Sequence, residues 1–222
     1  MKPSHIPGIF MEKEKFFTIN PKNCESISVY GEQLRTIDEK EYRSWNPYRS
    51  KLASALLKGI KDVSLTSQSR VLYLGAATGT TVSHFSDILT DGTIFAVEHS
   101  PIAAKVLIQL AKRRKNIIPI FADANHPEIY ATILPKVDLV YQDISQRNQA
   151  EIFIRNMKQY MKPTGQGIIM VKARSIDVSL PPPKAYDLVK KQINEQKFIV
   201  TQSIVLLPYE KDHACLVVIP KK

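Results

Sequence analysis

The sequence predicts an α/β fold: a mostly parallel sheet covered by helices on both faces, preceded by a small β unit. Three observations carry that expectation. Short apolar runs at 71–74, 94–97, 117–121, 137–141 and 168–171 read as buried strands. Segments of helical period at 82–89, 102–114, 150–161 and 186–195 alternate with or follow them, the pattern of parallel strands joined by crossover helices. The end differs, because the β-rich runs 198–207 and 214–219 are joined only by Pro208-Tyr209-Glu210-Lys211-Asp212-His213. That connection is too short for a crossover helix, so the two runs should pair antiparallel.

In chain order, residues 1–45 carry the apolar stretches Gly8-Ile9-Phe10, Phe16-Phe17-Thr18-Ile19 and Ile27-Ser28-Val29-Tyr30. Turn chemistry at Asn20-Pro21-Lys22-Asn23 and Tyr30-Gly31-Glu32 separates them, which predicts a small antiparallel β domain. Residues 46–222 form the main domain in this scheme. From Asn46-Pro47 the period changes: Tyr48, Leu52, Ala55, Leu56 and Ile60 share one helical face, Pro47 suits the first turn, and Lys51 rides on the helix. Thr164-Gly165-Gln166-Gly167 ends the fourth helical segment before the fifth strand, and Pro181-Pro182-Pro183 is a stiff lead-in to the last helix.

Lys plus Arg number 31 against 21 Asp plus Glu, a net charge of +10 that favours an anionic partner such as nucleic acid without naming it. Cys24 and Cys215 have no ligand spacing, which predicts a reducing compartment and no structural zinc. With no signal peptide and no apolar run near 18 residues, the expectation is a cytoplasmic protein with no membrane partner.

Five parallel strands closed by a hairpin is the Rossmann-like, seven-stranded layout of S-adenosylmethionine-dependent methyltransferases, in which ligands bind outside the carboxyl ends of the strands. The small residues Gly75, Ala76 and Ala77, followed by Thr78-Gly79-Thr80-Thr81, stand at the end of the first parallel strand and let a ligand approach the backbone, although such turns also serve packing alone. Glu98, Asp123, Asp143 and Lys172 end the next four strands. One acid in such a place is often only a helix cap, but four polar groups in register suggest a site. Glu98 suits the two hydroxyls of a ribose, Asp123 an adenine amine, and Asp143 the electron-rich surroundings of a sulfonium. Neither GxGxxG nor a GKS/T cradle is present, so S-adenosylmethionine fits better than NAD or ATP. Lys172 either snorkels to the rim or occupies a desolvated position that lowers its pKa, where it can take a proton from a hydroxyl nucleophile.

The chain also resembles the fibrillarin family, in its archaeal form. The likeness is carried by Trp45-Asn46-Pro47-Tyr48-Arg49-Ser50-Lys51-Leu52, by Tyr73-Leu74-Gly75-Ala76-Ala77-Thr78-Gly79-Thr80-Thr81-Val82-Ser83-His84, and by Asn116-Ile117-Ile118-Pro119-Ile120. Lys172-Ala173-Arg174-Ser175-Ile176-Asp177 and Pro208-Tyr209-Glu210-Lys211-Asp212-His213-Ala214 complete it. The resemblance implies methylation of ribose 2′-oxygens in ribosomal and transfer RNA at sites chosen by a box C/D guide RNA, together with a Nop-domain scaffold protein and a kink-turn-binding ribosomal-type protein. It places the catalytic set on Lys51, Asp143, Lys172 and His213. Lys172 would be the base or the cation that lowers the hydroxyl pKa, Asp143 and Lys51 would hold lysine and hydroxyl in register, and His213 would position the ribose or relay a proton. Cofactor contacts carry over onto Thr80, Thr81, Glu98, His99, Asp123, Ala124, Asp143, Ile144, Ser145 and Gln146.

This chain has Thr78 where the family usually has serine, His99 for an aromatic, Asn125 for the arginine of DAR, and Asp143-Ile144-Ser145-Gln146-Arg147 for DVAQP or DIAQP. It lacks the glycine- and arginine-rich N-terminal tail of eukaryotic members, which fits an archaeal source. Two rival readings are a stand-alone ribose methyltransferase, disfavoured by His213 where such enzymes usually place an acid, and a non-enzymatic scaffold, disfavoured by Gly75, Glu98, Asp143 and Lys172 occurring together. Elsewhere, His5, His84 and His126 are expected in packing or solvent. Trp45, Phe16, Phe17 and Tyr30 are expected in the β unit or its seam, and Lys112-Arg113-Arg114-Lys115 at a helix end where cations suit the dipole.

Overall fold

The computed structural model describes residues 1–61 and 63–221. β1 (Lys2–Pro3), β2 (Ile9–Glu12), β3 (Lys15–Ile19), β4 (Leu34–Ile37) and β5 (Lys40–Trp45) form an antiparallel sheet in the order β1-β2-β3-β5-β4. The strand expected at 27–30 is absent. The Glu32 carboxylate accepts the N–H groups of Val29 and Tyr30, at 3.0 and 2.8 Å, and gathers this segment into a bend instead of leaving those donors for a ladder.

The chain continues through α1 (Lys51–Leu57), β6 (Arg70–Leu74), α2 (Thr80–Ile88), β7 (Thr93–Glu98), α3 (Pro101–Arg113), β8 (Ile117–Phe121) and β9 (Val137–Gln142). Then come α4 (Gln149–Tyr160), β10 (Met161–Lys172), α5 (Ala173–Ile176), α6 (Pro182–Asn194), β11 (Phe198–Val205) and β12 (His213–Pro220). Seven strands form the second sheet, in the order β11-β12-β10-β9-β6-β7-β8. β12 is antiparallel to both β10 and β11, and the remaining pairings are parallel, so the expected seven-stranded layout and its closing hairpin are present. Pleating divides the core: Val71 and Tyr73 join Leu52 and Phe85 on one face, whereas Leu72 and Leu74 join Phe153 and Val189 on the other.

The first helix starts later than its apolar period suggests. Ser50 caps it by accepting the Ala53 N–H, Asn46 accepts the Tyr48 N–H at 2.9 Å, and Pro47–Arg49 is a turn. Tyr48 is therefore exposed, while Leu52, Ala55, Leu56 and Ile60 are buried as expected. Lys51 becomes the first residue of the helix.

The β1–β5 sheet is fastened to α2 by buried charge. Arg43 of β5 reaches Glu32 and Asp87, each at 2.6 Å, and Arg114 pairs with the other oxygen of Asp87 and with Asn20. Arg114 is thus buried in the seam and not solvated at the end of α3. His84, stacked on Trp45 at 4.8 Å, bridges Thr18 and Tyr30. Burial, together with the nearby Arg43 and Arg114, holds its pKa well below the usual histidine range, so it enters this network uncharged. Asp87→Ala strips both arginines of their shared carboxylate and should lower the unfolding free energy by about 3–5 kcal/mol in urea denaturation. A change within about 0.5 kcal/mol, as at an ordinary surface site, would show that the seam does not depend on this charge.

Candidate active site

The sheet order creates the site. From β6 the chain proceeds to β7 and β8 on one side and then returns to β9 and β10 on the other, so a crevice opens beyond the carboxyl ends of β6 and β9. Gly75 occupies that point with φ +80°, and an added Cβ would lie 2.7 Å from the Asp143 carbonyl oxygen. The N–H groups of Gly75 and Ala76 both donate to the Val97 carbonyl, while the Ala77 N–H donates to the Glu98 carboxylate at 2.7 Å. Glu98 also accepts the Ser100 N–H at 2.8 Å, so one buried acid ties the β6 turn to the start of α3.

A narrow cleft beside this turn is lined by Gly75, Glu98, His99, Asp123, Ala124, Ile144 and Gln146. Asp123 accepts both the backbone and side-chain N–H of Asn125, at 2.9 and 3.0 Å; the backbone bond contributes most to holding its pKa below the usual range. Asn125 also donates to Gln146 at 3.0 Å and accepts from Asn148 at 2.8 Å, linking the loops after β8 and β9. The other expected cofactor residues do not line this cleft. Ala76 is buried beneath the turn, Ala77 carries the bond to Glu98, and Thr80 opens α2. The Thr81 hydroxyl donates to Ser50 at 3.0 Å, joining α2 to the cap of α1.

Lys51, Asp143 and Lys172 converge next to the cleft. Asp143 follows β9, and its backbone N–H donates to the Leu74 carbonyl at 2.9 Å. Lys51 Nζ lies 3.2 Å from its Oδ2, and Lys172 Nζ lies 2.8 Å from its Oδ1. Lys172 also donates to the Asp143 carbonyl at 3.3 Å and to Ser145 Oγ at 2.7 Å. The ammonium thus makes two hydrogen bonds and, at ion-pair distance, faces a carboxylate oxygen that accepts no hydrogen bond from the described residues. Desolvation pushes the Asp143 pKa upward, but Lys51 and Lys172 outweigh it and keep the carboxyl below its ordinary value of 3.8.

His213 stands opposite Lys172 in the β10–β12 register. Its Nδ1 is 2.5 Å from the Lys211 carbonyl, an acceptor only, which assigns the proton to Nδ1 and leaves Nε2 as the acceptor of the neutral ring. Gln149 was not singled out by any sequence motif, yet its buried amide accepts the Lys172 N–H at 2.9 Å and donates to the Lys172 carbonyl at 3.2 Å. Ser145, expected at the cofactor, accepts a hydrogen bond from Lys172.

A fibrillarin family model matches residues 1–222. The fibrillarin-like rRNA/tRNA 2′-O-methyltransferase of Pyrococcus abyssi is 46% identical over 222 residues, covering 98% of this chain and 97% of that protein. Aeropyrum pernix fibrillarin, solved with natively bound S-adenosyl-L-methionine, aligns with a TM-score of 0.85 at 38% identity over 92% of this chain and 89% of its own. A fibrillarin solved in complex with Nop5p gives a TM-score of 0.87 at 41% identity, covering 96% of this chain and 97% of its own. With the glycine turn, the strand-end acids and the lysine pair all carried on a chain matched along its whole length, this protein belongs to the fibrillarin family.

Proposed function

We propose that this protein is an S-adenosylmethionine-dependent methyltransferase acting on ribose 2′-oxygens of rRNA and tRNA, as the catalytic subunit of a guide-RNA-directed box C/D ribonucleoprotein. The observation that carries this reading is the Asp143 carboxylate shared by Lys51 and Lys172 beside the Gly75 turn. The names of the relatives support the reaction, and the Nop5p complex of one relative supports a Nop-domain partner. The guide RNA and a kink-turn-binding protein follow from the same family reading, and the net charge of +10 suits an RNA backbone. The buried free thiols Cys24 and Cys215 suit a reducing cytoplasmic compartment. In this scheme residues 1–45 are an accessory domain that steadies the catalytic domain, 46–222.

The cleft fits the cofactor chemically. The bare backbone of Gly75 lets Asp143 and Ile144 pack against the turn, and Ile144 together with Glu98, Asp123 and Gln146 walls a cleft rich in acceptors for an adenosyl group. Glu98 and Asp123 would hold the ribose and adenine ends, with Ala124, Ile144 and Gln146 beside them. When bound, S-adenosylmethionine supplies an electrophilic methyl group on a sulfonium. Lys172 stabilises the ribose oxygen as its proton leaves, and Asp143 orients that lysine and Lys51 around the hydroxyl. His213 Nε2 accepts the departing proton.

Labelled S-adenosylmethionine, target RNA, guide RNA and the two partner proteins, followed by alkaline hydrolysis, test the reading, because a methylated 2′-oxygen cannot attack the adjacent phosphate. Label should appear in one alkali-resistant dinucleotide, require the guide, and fall roughly 10²- to 10⁴-fold in Lys172→Ala. Guide-independent label would instead indicate a stand-alone enzyme. The charge on Asp143 makes a separate prediction. Its folded pKa is depressed, so its stabilising contribution is present above the ordinary value of 3.8 and is lost as pH falls through the lowered folded value. In urea titrations, wild type should exceed Asp143→Asn in stability at pH 7, with the gap narrowing as pH falls below 3.8. A gap that stays constant with pH would refute this assignment.

A further inference from the structure

Glu210 lies in the connection between β11 and β12, with its backbone N–H bound to the Leu206 carbonyl at 3.1 Å. Its carboxylate sits between two members of the candidate site: Oε1 is 4.0 Å from Lys51 Nζ, and Oε2 is 4.0 Å from His213 Nδ1. The side chain is only 25% exposed, and its carboxylate accepts no hydrogen bond from the described residues. It stands at ion-pair distance from the Lys51 ammonium and beside the His213 ring. Asp212, two positions further along, differs, because its carboxylate is engaged by Arg174 Nε at 2.9 Å.

The consequence for Lys51 is geometric. Its ammonium is drawn by Asp143 at 3.2 Å on one side and by Glu210 on the other. With Asp143 alone, the flexible lysine stem is free to settle on one carboxylate and leave the mouth of the site. We propose that Glu210 is a positioning residue for methyl transfer, holding Lys51 between two carboxylates and completing a row of alternating groups, Lys172, Asp143, Lys51, Glu210 and His213. The role rests on the ribose methyltransferase reading above, but the placement of Glu210 beside Lys51 and His213 can be tested separately.

Glu210→Gln keeps the shape and removes the charge. In the reconstituted assembly it should lower kcat roughly 10- to 100-fold, with KM for cofactor and RNA changed less than about twofold. Glu210→Asp should restore part of the loss, because it keeps the charge on a shorter stem. If Glu210 works through Lys51, adding Glu210→Gln to Lys51→Met should cause little further loss. Unchanged kcat in Glu210→Gln, or losses that multiply in the double variant, would overturn the role. A measurement on the free protein is independent of turnover: the ¹⁵N resonances of the His213 ring should move in Glu210→Gln while those of buried His84 stay in place. Unmoved His213 resonances overturn the inference even if no methylation is detected. Active wild type with an indifferent Glu210→Gln overturns this inference alone, whereas guide-independent label overturns the guide-directed reading and leaves the role of Glu210 to the kinetic comparison.

Discussion

Asp143 places one negative charge where the order of strands reverses, and two lysines reach it from separate parts of the fold. Lys51 comes from the first turn of α1, Lys172 from the last position of β10, and the acid itself from the end of β9. Each approach needs its own support. The Ser50–Thr81 bond sets the start of α1 against α2, and the Gln149 amide holds the Lys172 backbone through both its N–H and carbonyl. Gly75 leaves room for the Asp143 backbone, which no side chain at that position would permit without movement. The ion pairs therefore report on the register of three elements as much as on local electrostatics.

α2 connects this site with the seam at the other sheet. Its first residues follow the glycine turn, and its last turn carries Asp87, which receives Arg43 and Arg114. A buried carboxylate with two guanidinium partners resists small displacements, since losing either partner exposes an uncompensated charge to a low-dielectric interior. The accessory sheet thereby contributes to the placement of α2, although it supplies none of the groups that meet at Asp143.

The parallel strands were legible because they are covered on both faces and so read as unbroken apolar runs, as in Val71-Leu72-Tyr73-Leu74. The strand-end acids and Lys172 stood out for the complementary reason, as abrupt polar residues after those runs. β4 and β5 were not legible, because Arg35, Glu41 and Arg43 interrupt the alternation and the burial of Arg43 depends on partners at Glu32 and Asp87. The start of α1 was misplaced because Pro47 fits a first helical turn as readily as the turn it actually occupies ahead of the Ser50 cap. Gln149 and Glu210 belong to no periodic pattern. Their relevance arises only from contacts across 23 residues in one case and about 160 in the other.

β12, the strand that opposes its neighbours, lies between β10 and β11 although it follows both in sequence. On a ribosome, the edge of β10 therefore has no partner on that side until residues beyond 213 have left the exit tunnel. Through that interval Met170 and Val171 present an open apolar strand edge, and Lys172 lacks the neighbour that will face it. The Glu210 and His213 end of the site thus forms only with the closing hairpin, whereas the pairing of Lys51 and Lys172 with Asp143 draws on elements made before it.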